Sequence, residues 1–314
     1  MLALAFLLDL WVGDPVYPFH PVRIMGQIVE RGETFLRRIV CHEKMAGTIL
    51  ASLLPLAVFF LTLGLIFWLG KIHFWLAWGT NLFGIYSALS IHDLRKEGIH
   101  IFRALEQNDL DKARKNLARI VGRSTDGLDQ KEILRASIET IAESTVDGII
   151  APLFYAALGG APLALAYKAV NTLDSMIGHL NERYRNFGFF AAKQDEFWNW
   201  IPARLSYFAI SFAAFILNFR IKEAFVAGWR NGIVASYGNG AIPEATFAGA
   251  LGLRLGGVNR YEGQVVEKPF LGFKQKDFDL MDLKKSLNLM MAASWVALVG
   301  IILLKYWMDV MIRI

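Results

Sequence analysis

The sequence predicts an all-α, polytopic helical membrane protein with four or five transmembrane or re-entrant segments joined by cytoplasmic helical loops. Three observations predict it. Of the 314 residues 55% are hydrophobic and only 19% charged, with a mean hydropathy of +0.38, which is too apolar for a soluble chain of this size. Apolar stretches near 46–69, 74–91, 149–170, 202–219 and 289–307 approach or reach the length that crosses a hydrocarbon core about 30 Å thick. Between them, 93–148 and 220–285 are hydrophilic, read as helical, and concentrate Lys and Arg. The whole chain, 1–314, is expected to form a single integral membrane domain.

The elements follow in order. Leu2–Val12 is apolar but spans only about three turns, and Asp9 interrupts it, so it reads as a retained short helix rather than a cleavable signal. Asp14-Pro15, Pro18, His20-Pro21 and Arg23 make a stiff turn, because proline fixes φ and removes a donor. An amphipathic helix is expected from Val22 to Ile39. The uncharged run 46–69 and the run 74–91 then form a hairpin whose basic flanks, Asp14–Lys44 and Asp93–Gly148, belong on the cytoplasmic side by the positive-inside rule.

Leu105-Glu106-Gln107-Asn108-Asp109-Leu110-Asp111 marks a break between two helices. The loop Ile120–Gly127 is rich in hydroxyls and glycine around Arg123, and Asp129 with Glu132 has the form of a capping box. Pro152 and Gly159-Gly160-Ala161-Pro162 interrupt 149–170, which is expected either to cross as a kinked helix or to turn back within the membrane. Arg204 opens the run 202–219, and glycines crowd Asn239–Gly257, permitting close backbone approach.

Composition also excludes. With 33 Lys and Arg against 28 Asp and Glu the net charge is +5, which suits anionic lipid head groups and anionic substrates. No basic run or recognition fold points to nucleic acid. Cys41 is the sole cysteine, so neither an intramolecular disulfide nor a cysteine-rich metal site is open to the chain. No P-loop motif occurs.

The chemistry is expected on the two sides of 149–170. Upstream, Glu139, Glu143 and Asp147 recur every four residues, drifting only about 40° per step on a helix, so they share a face. Three like charges on one stripe ask for a basic side chain or a metal ion. Downstream, Lys168, Asn171, Asp174, Ser175, Gly178 and Glu182 fall on a second stripe of oxygen donors with one ammonium. Oxygen donors suit Mg2+, which takes one or two carboxylates plus substrate phosphates and water, so the residue types fit a Mg-nucleotide site. A solvated or salt-bridged helix face explains either stripe alone more simply, and it is the pair of stripes flanking one apolar segment that brings the functional reading level with it. The two are expected to meet at the cytoplasmic membrane surface, with 149–170 broken or recessed.

At these residues the chain resembles the adenosylcobinamide-phosphate synthase family, the membrane enzymes of cobalamin biosynthesis. The resemblance rests on motifs in fixed order over nearly the whole length: Gly13-Asp14-Pro15, His20-Pro21-Val22-Arg23, Val121-Gly122-Arg123, Glu139 through Gly148, Tyr167 through Met176, Asn181-Glu182-Arg183-Tyr184, Asn199 through Arg204, and Gly249 through Arg260. One run departs: Ala235-Ser236-Tyr237-Gly238-Asn239-Gly240-Ala241-Ile242-Pro243-Glu244 keeps Asn239, Pro243 and Glu244 of the family's proline-rich pattern but loses its other prolines.

The resemblance implies an ATP- and Mg2+-dependent ligase joining adenosylcobyric acid to aminopropanol or its phosphate, in contact with membrane lipid and with other membrane enzymes of the pathway. On that basis Glu143, Asp147 and Asp174 are expected to hold Mg2+. Arg123, Lys168 and Arg183, with Asn171, Asn239 and Arg254, are expected to hold ATP. Glu139 or Glu182 is expected to act as base, and Lys168 to serve catalysis as well. A transporter is one alternative, disfavoured by the few clean spans, the absence of an evident inverted repeat and the placement of charge in long cytoplasmic loops; a non-catalytic scaffold for corrinoid pathway enzymes is the other.

Overall fold

A computed structural model describes residues 1–15, 19–179, 181–235, 237–261 and 264–313, with backbone alone at 259–261, 264–266 and 312–313. Pro18, Ser236 and the side chains of Asn259 and Arg260, all used in reading the sequence, lie outside the described residues. In chain order the helices are α1 (Leu2–Val12), α2 (Pro21–Ile39), α3 (Glu43–Ile72), α4 (Phe74–Tyr86), α5 (Ile91–Glu106), α6 (Leu110–Leu117) and α7 (Gln130–Thr145). A π-helical segment, Val146–Ile150, leads into α8 (Ala151–Ile177), followed by α9 (Phe189–Trp198), α10 (Trp200–Ile216) and α11 (Ile221–Ala227). A second π segment, Gly228–Val234, precedes α12 (Ala241–Leu251), the strands β1 (Arg254–Tyr261) and β2 (Gln264–Gly272), and α13 (Leu280–Arg313).

The chain is a helical membrane protein. Among the described residues three stretches, Glu43–Ile72, Gln130–Ile177 and Leu280–Met311, are long and apolar enough to cross a membrane, and Leu2–Val12 and Trp200–Ile216 are shorter apolar helices. The expected run 74–91 is not one helix. The Ser87 hydroxyl donates to the Gly84 carbonyl at 3.1 Å, and the Ala88 and Leu89 amides reach back three residues instead of four, which tightens and ends α4. Its 13 residues cover about 20 Å. The run 202–219 is likewise cut at Ile216, because Asn218 adopts a left-handed φ of 54°.

The break expected inside 149–170 is present. Gly159 (φ −146°, ψ 21°) and Gly160 (φ 66°, ψ −155°) leave helical geometry, and the Ala161 amide freed by the break donates to Asn81 Oδ1 at 2.7 Å. Pro162 follows immediately, at a first-turn position where its missing N–H costs nothing. The stretch 220–285, expected to be helical throughout, instead contains an antiparallel hairpin with a bulge between Leu255 and Gly257. Gly256 and Gly257 sit at φ 83° and 91°, a region other residues avoid, and the β-branched pair Val265-Val266 favours the extended partner strand.

By contacts the described chain divides into two compact units. The first comprises Met1–Ser90, Ala151–Trp200 and Gly300–Ile314; within it α3 packs on α8 and α4, and α2 packs on α8 and α3. The second comprises Ile91–Ile150 and Ile201–Val299. At its centre lies α12, every residue of which is buried. It touches α7, α11, the second π segment and both strands. Such packing needs small residues: a Cβ on Gly249 would stand 2.2 Å from the Glu223 carbonyl oxygen.

Candidate functional site

In the second unit the upstream carboxylates are set by the start of α7. Asp129 Oδ1 accepts from the Glu132 amide at 2.8 Å and Glu132 Oε2 accepts from the Asp129 amide at 3.0 Å, so the capping box is formed. Glu139 is among the buried residues of α7, with Ile133, Ala136 and Ile138, and is 5% exposed. There Glu139 Oε1 accepts from the Gly256 amide at 2.8 Å, and Glu139 Oε2 pairs with Arg123 Nη2 at 3.2 Å. Arg135, one turn earlier, approaches Glu139 at 4.0 Å and donates to the carbonyls of Gly256 and Val258. The β-bulge is thereby clamped to α7 from both its amide and carbonyl sides. Only glycine fits at its apex, since a Cβ on Gly256 would meet the Pro269 carbonyl oxygen at 2.0 Å.

One turn further along α7, Glu143 is exposed, and Asp147 is half-buried in the π segment. Glu143 Oε1 stands 3.5 Å from the place a Cβ on Gly240 would take, which sets this carboxylate against the start of α12. Asn239 beside it accepts from Arg204 Nη1 at 3.4 Å. Within α12 Glu244 is 5% exposed. Burial pushes its carboxyl up from 4.5 to about 8; Glu139 and Glu143 push in the same direction, while Lys268 and Arg123 oppose them. The second unit therefore brings together Arg123, Glu139, Glu143, Glu244 and Lys268.

Glu244, Lys268 and Arg135 were missed as site residues by sequence reasoning. Glu244 carried a signal, because it survives in the run that otherwise departs from the family pattern. Lys268 lies on β2 and depends on a hairpin that the sequence did not announce.

The downstream residues belong to the first unit. Lys168 Nζ lies 3.4 Å from Asn171 Oδ1, and Asn171 is buried while Asp174 is half-buried. The expected stripe extends too far: α8 ends at Ile177, so Gly178 and Glu182 are off the helix. The Gly178 amide closes the last turn by donating to the Asp174 carbonyl at 2.7 Å. The Asp174 carboxylate then folds over Gly178, its Oδ1 2.0 Å from where a Cβ would be.

Glu182 is exposed. Arg183 reaches Glu33 Oε1 through Nη2 at 3.0 Å, and the same buried carboxylate accepts from Arg37 Nε at 3.0 Å and from the Tyr184 hydroxyl at 3.2 Å. Burial and the Glu33 carboxylate raise the Tyr184 phenol above its ordinary value. Glu33 is a fourth residue that sequence reasoning passed over, although its place four residues before Arg37 was visible. In the same unit His20 Nε2 pairs with Asp14 at 3.1 Å across the stiff turn.

Of the three carboxylates expected to hold Mg2+, Glu143 and Asp147 belong to the second unit and Asp174 to the first. Among the described residues no three His, Cys, Asp or Glu side chains are arranged to hold a metal ion. One or two carboxylates completed by phosphate oxygens and water remain the protein complement that Mg2+ commonly uses, and Glu143 and Asp147 are of that kind.

Comparison with known proteins adds an independent line. A sequence profile described as CobD/Cbib protein matches residues 2–290. The cobalamin biosynthesis protein CobD of Clostridium perfringens is 42% identical over 312 residues, covering 98% of each chain. Its namesake from Klebsiella pneumoniae is 44% identical over 308 residues, covering 97% of this chain and 96% of its own. The cobalamin biosynthesis protein CbiB of Salmonella arizonae is 40% identical over 313 residues, covering 98% and 97%. No solved structure matches the chain.

Proposed function

Because the chain belongs to the CobD/CbiB family of cobalamin biosynthesis, we propose that it is an ATP-dependent amide ligase that joins adenosylcobyric acid to aminopropanol or aminopropanol phosphate. The observation that carries this reading beyond the family name is the buried Glu244 carboxyl. It lies within electrostatic reach of two further carboxylates and two cations, and it titrates near pH 8.

Amide formation from a carboxylate needs two things that water does not supply. The carboxylate oxygen must become a leaving group, which transfer of the ATP γ-phosphoryl achieves: an acyl phosphate forms and ADP departs. The amine must then attack as the free base, forming the C–N bond as phosphate leaves, and its surplus proton must be taken up. Glu244 is suited to take that proton, since a base works best when its pKa lies near the working pH. Glu139 already accepts from Arg123 and the Gly256 amide, and in this scheme it positions the bulge and the Arg123 guanidinium.

Mg2+, when bound, would neutralise the charge of the phosphates, and Glu143 and Asp147 are the carboxylates that would hold it in the second unit. Asn239 and Arg254 contribute polar contacts to ATP from the same unit. In the first unit Lys168, Asn171, Asp174, Glu182 and Arg183 make up the downstream donor group, to which the family resemblance carries the remaining phosphate, metal and proton-transfer roles. The two π segments, one carrying Asp147 and the other packed against α12, support the reading, because π-bulges are frequent at functional sites.

The test is direct. Purified protein in detergent, given adenosylcobyric acid, Mg-ATP and either form of the amine, is expected to release ADP and phosphate and to form adenosylcobinamide or its phosphate. Hydrolysis of ATP without amide product, or no dependence on the corrinoid, would refute the ligase reading.

A further inference from the structure

A cleft of about 300 Å³ opens in the second unit beside the clamped bulge. Its walls come from the first turns of α7, the start of β1, Phe270 on β2 and the segment 274–278. Lys131, Arg135, Arg254, Lys274 and Lys276 line it, against two acids, Glu132 and Asp277.

The acids are already engaged. Glu132 closes the capping box, and Asp277 is held by Lys274 at 3.0 Å and Lys131 at 3.6 Å, which keeps its carboxyl below the ordinary range. Arg135 is committed to the bulge carbonyls and Lys276 to Asp282. Arg254 is different. Its side chain is exposed and makes no ion pair among the described residues, and its guanidinium is centred 4.1 Å over the Phe270 ring. A guanidinium stacked in this way is oriented in advance, with its donor fork still available for a planar or tetrahedral oxyanion.

We infer that this cleft binds a phosphate-bearing anion, a phosphomonoester or a polyphosphate, with Arg254 as the bidentate anchor and Lys274 and Lys131 at the rim. Its size is at the lower limit of small-molecule sites, roughly 300–1,000 Å³, enough for a phosphate group with a short tail and too small for a corrinoid ring. Glycine makes the floor: a Cβ on Gly257 would press on the Phe270 ring at 3.0 Å and on Arg135 Nη1 at 3.4 Å. The identity of the ligand, the phosphate of ATP or of a phosphorylated amine, rests on the ligase reading; the phosphate chemistry of the cleft does not.

The same chemistry is available from an anionic lipid, so the experiment has two arms. Binding of pyrophosphate and of O-phosphoethanolamine to the purified full-length protein in neutral detergent is measured by calorimetry. Retention on vesicles of phosphatidic acid in phosphatidylcholine is measured in parallel.

The double variant Arg254→Gln/Lys274→Gln is compared with wild type and with Lys193→Gln, a substitution at an exposed pair in the other unit. Unchanged thermal unfolding shows that the variants fold. At least a tenfold weaker affinity for the soluble phosphates in the double variant alone supports the site and identifies a soluble source. A comparable loss confined to phosphatidic acid supports it and identifies a lipid head group. No binding by wild type in either arm, or equal binding by the double variant, overturns it. Neither arm requires corrinoid or turnover, so a failed ligation assay leaves these results standing, and absent binding leaves the ligation result standing.

Discussion

The upstream and downstream polar groups have nearly the same residue types and reach very different physical states. Around Glu139 the carboxylate and its Arg123 partner are both almost fully buried, at 7% and 8% side-chain exposure. Around Arg183 the guanidinium is 67% exposed and meets Glu33 at the surface end of a buried carboxylate. The upstream partners come from the loop before α7, from α7 itself and from β1, while downstream Glu33 and Arg37 of α2 meet Arg183 and Tyr184 in the segment just beyond α8. A charge in the first setting is part of the core, and its removal uncovers desolvated groups. In the second setting water and neighbouring donors take over.

The sharpest way to test that contrast is pH. The Glu244 carboxyl has a folded value near 8 against 4.5 in the unfolded chain. Between these values the native state holds a proton that the unfolded chain has released, so stability falls as pH rises from about 4.5 to about 8 and levels off above. The span corresponds to an effect on the order of 5 kcal/mol. Glu244→Gln is expected to remove this slope and to be the more stable protein at pH 8. Thermal unfolding in detergent from pH 5 to 9 decides it, and a wild-type curve that is flat over this range would deny the buried, protonated carboxyl.

Sequence reasoning reached part of this contrast. The capping box at Asp129 and Glu132, the break at Gly159-Gly160 and the bounds of α1 were legible because each is local: a cap, a glycine pair and an apolar run act within a few residues of themselves. The helix end at Ile177 was also local, and Gly178 was its signal, but the oxygen-donor periodicity was extended through it. The hairpin 254–272 was not legible. Its glycines read as freedom for close approach, and only pairing with β2 and the clamp from α7 turns them into a bulge. Glu244 becomes a titrating group only when α12 is surrounded on all sides, which no window of sequence contains. The family itself was legible throughout, since fixed motif order does not depend on knowing the fold.

Breaking the upstream pair is expected to have the next largest effect. Arg123→Ala leaves Glu139 buried with Arg135 at 4.0 Å as its remaining cation. It is expected to destabilise by about 3 kcal/mol, the cost of removing one partner of a buried pair. It also removes a cation that holds the Glu244 carboxyl down, so the pH slope of this variant should extend further into the alkaline range. Unfolding of Arg123→Ala and Arg123→Ala/Glu244→Gln, each as a function of pH, separates the two contributions; additivity across the double variant would show that the residues do not share one electrostatic network.

Arg183→Ala is expected to have the smallest effect, below about 1 kcal/mol, because the pair is mostly exposed on the arginine side. Glu33 keeps two donors when Arg183 is removed, Arg37 Nε at 3.0 Å and the Tyr184 hydroxyl at 3.2 Å, and the Arg37 guanidinium is itself seated 4.4 Å over the Phe187 ring. Salt offers an independent check: raising ionic strength should erase what little Arg183 contributes while leaving the cost of Arg123→Ala nearly unchanged, since screening reaches exposed charges and not buried ones. A salt-insensitive loss of several kcal/mol in Arg183→Ala would mean that the downstream group is as deeply integrated as the upstream one, and the distinction between them would fail.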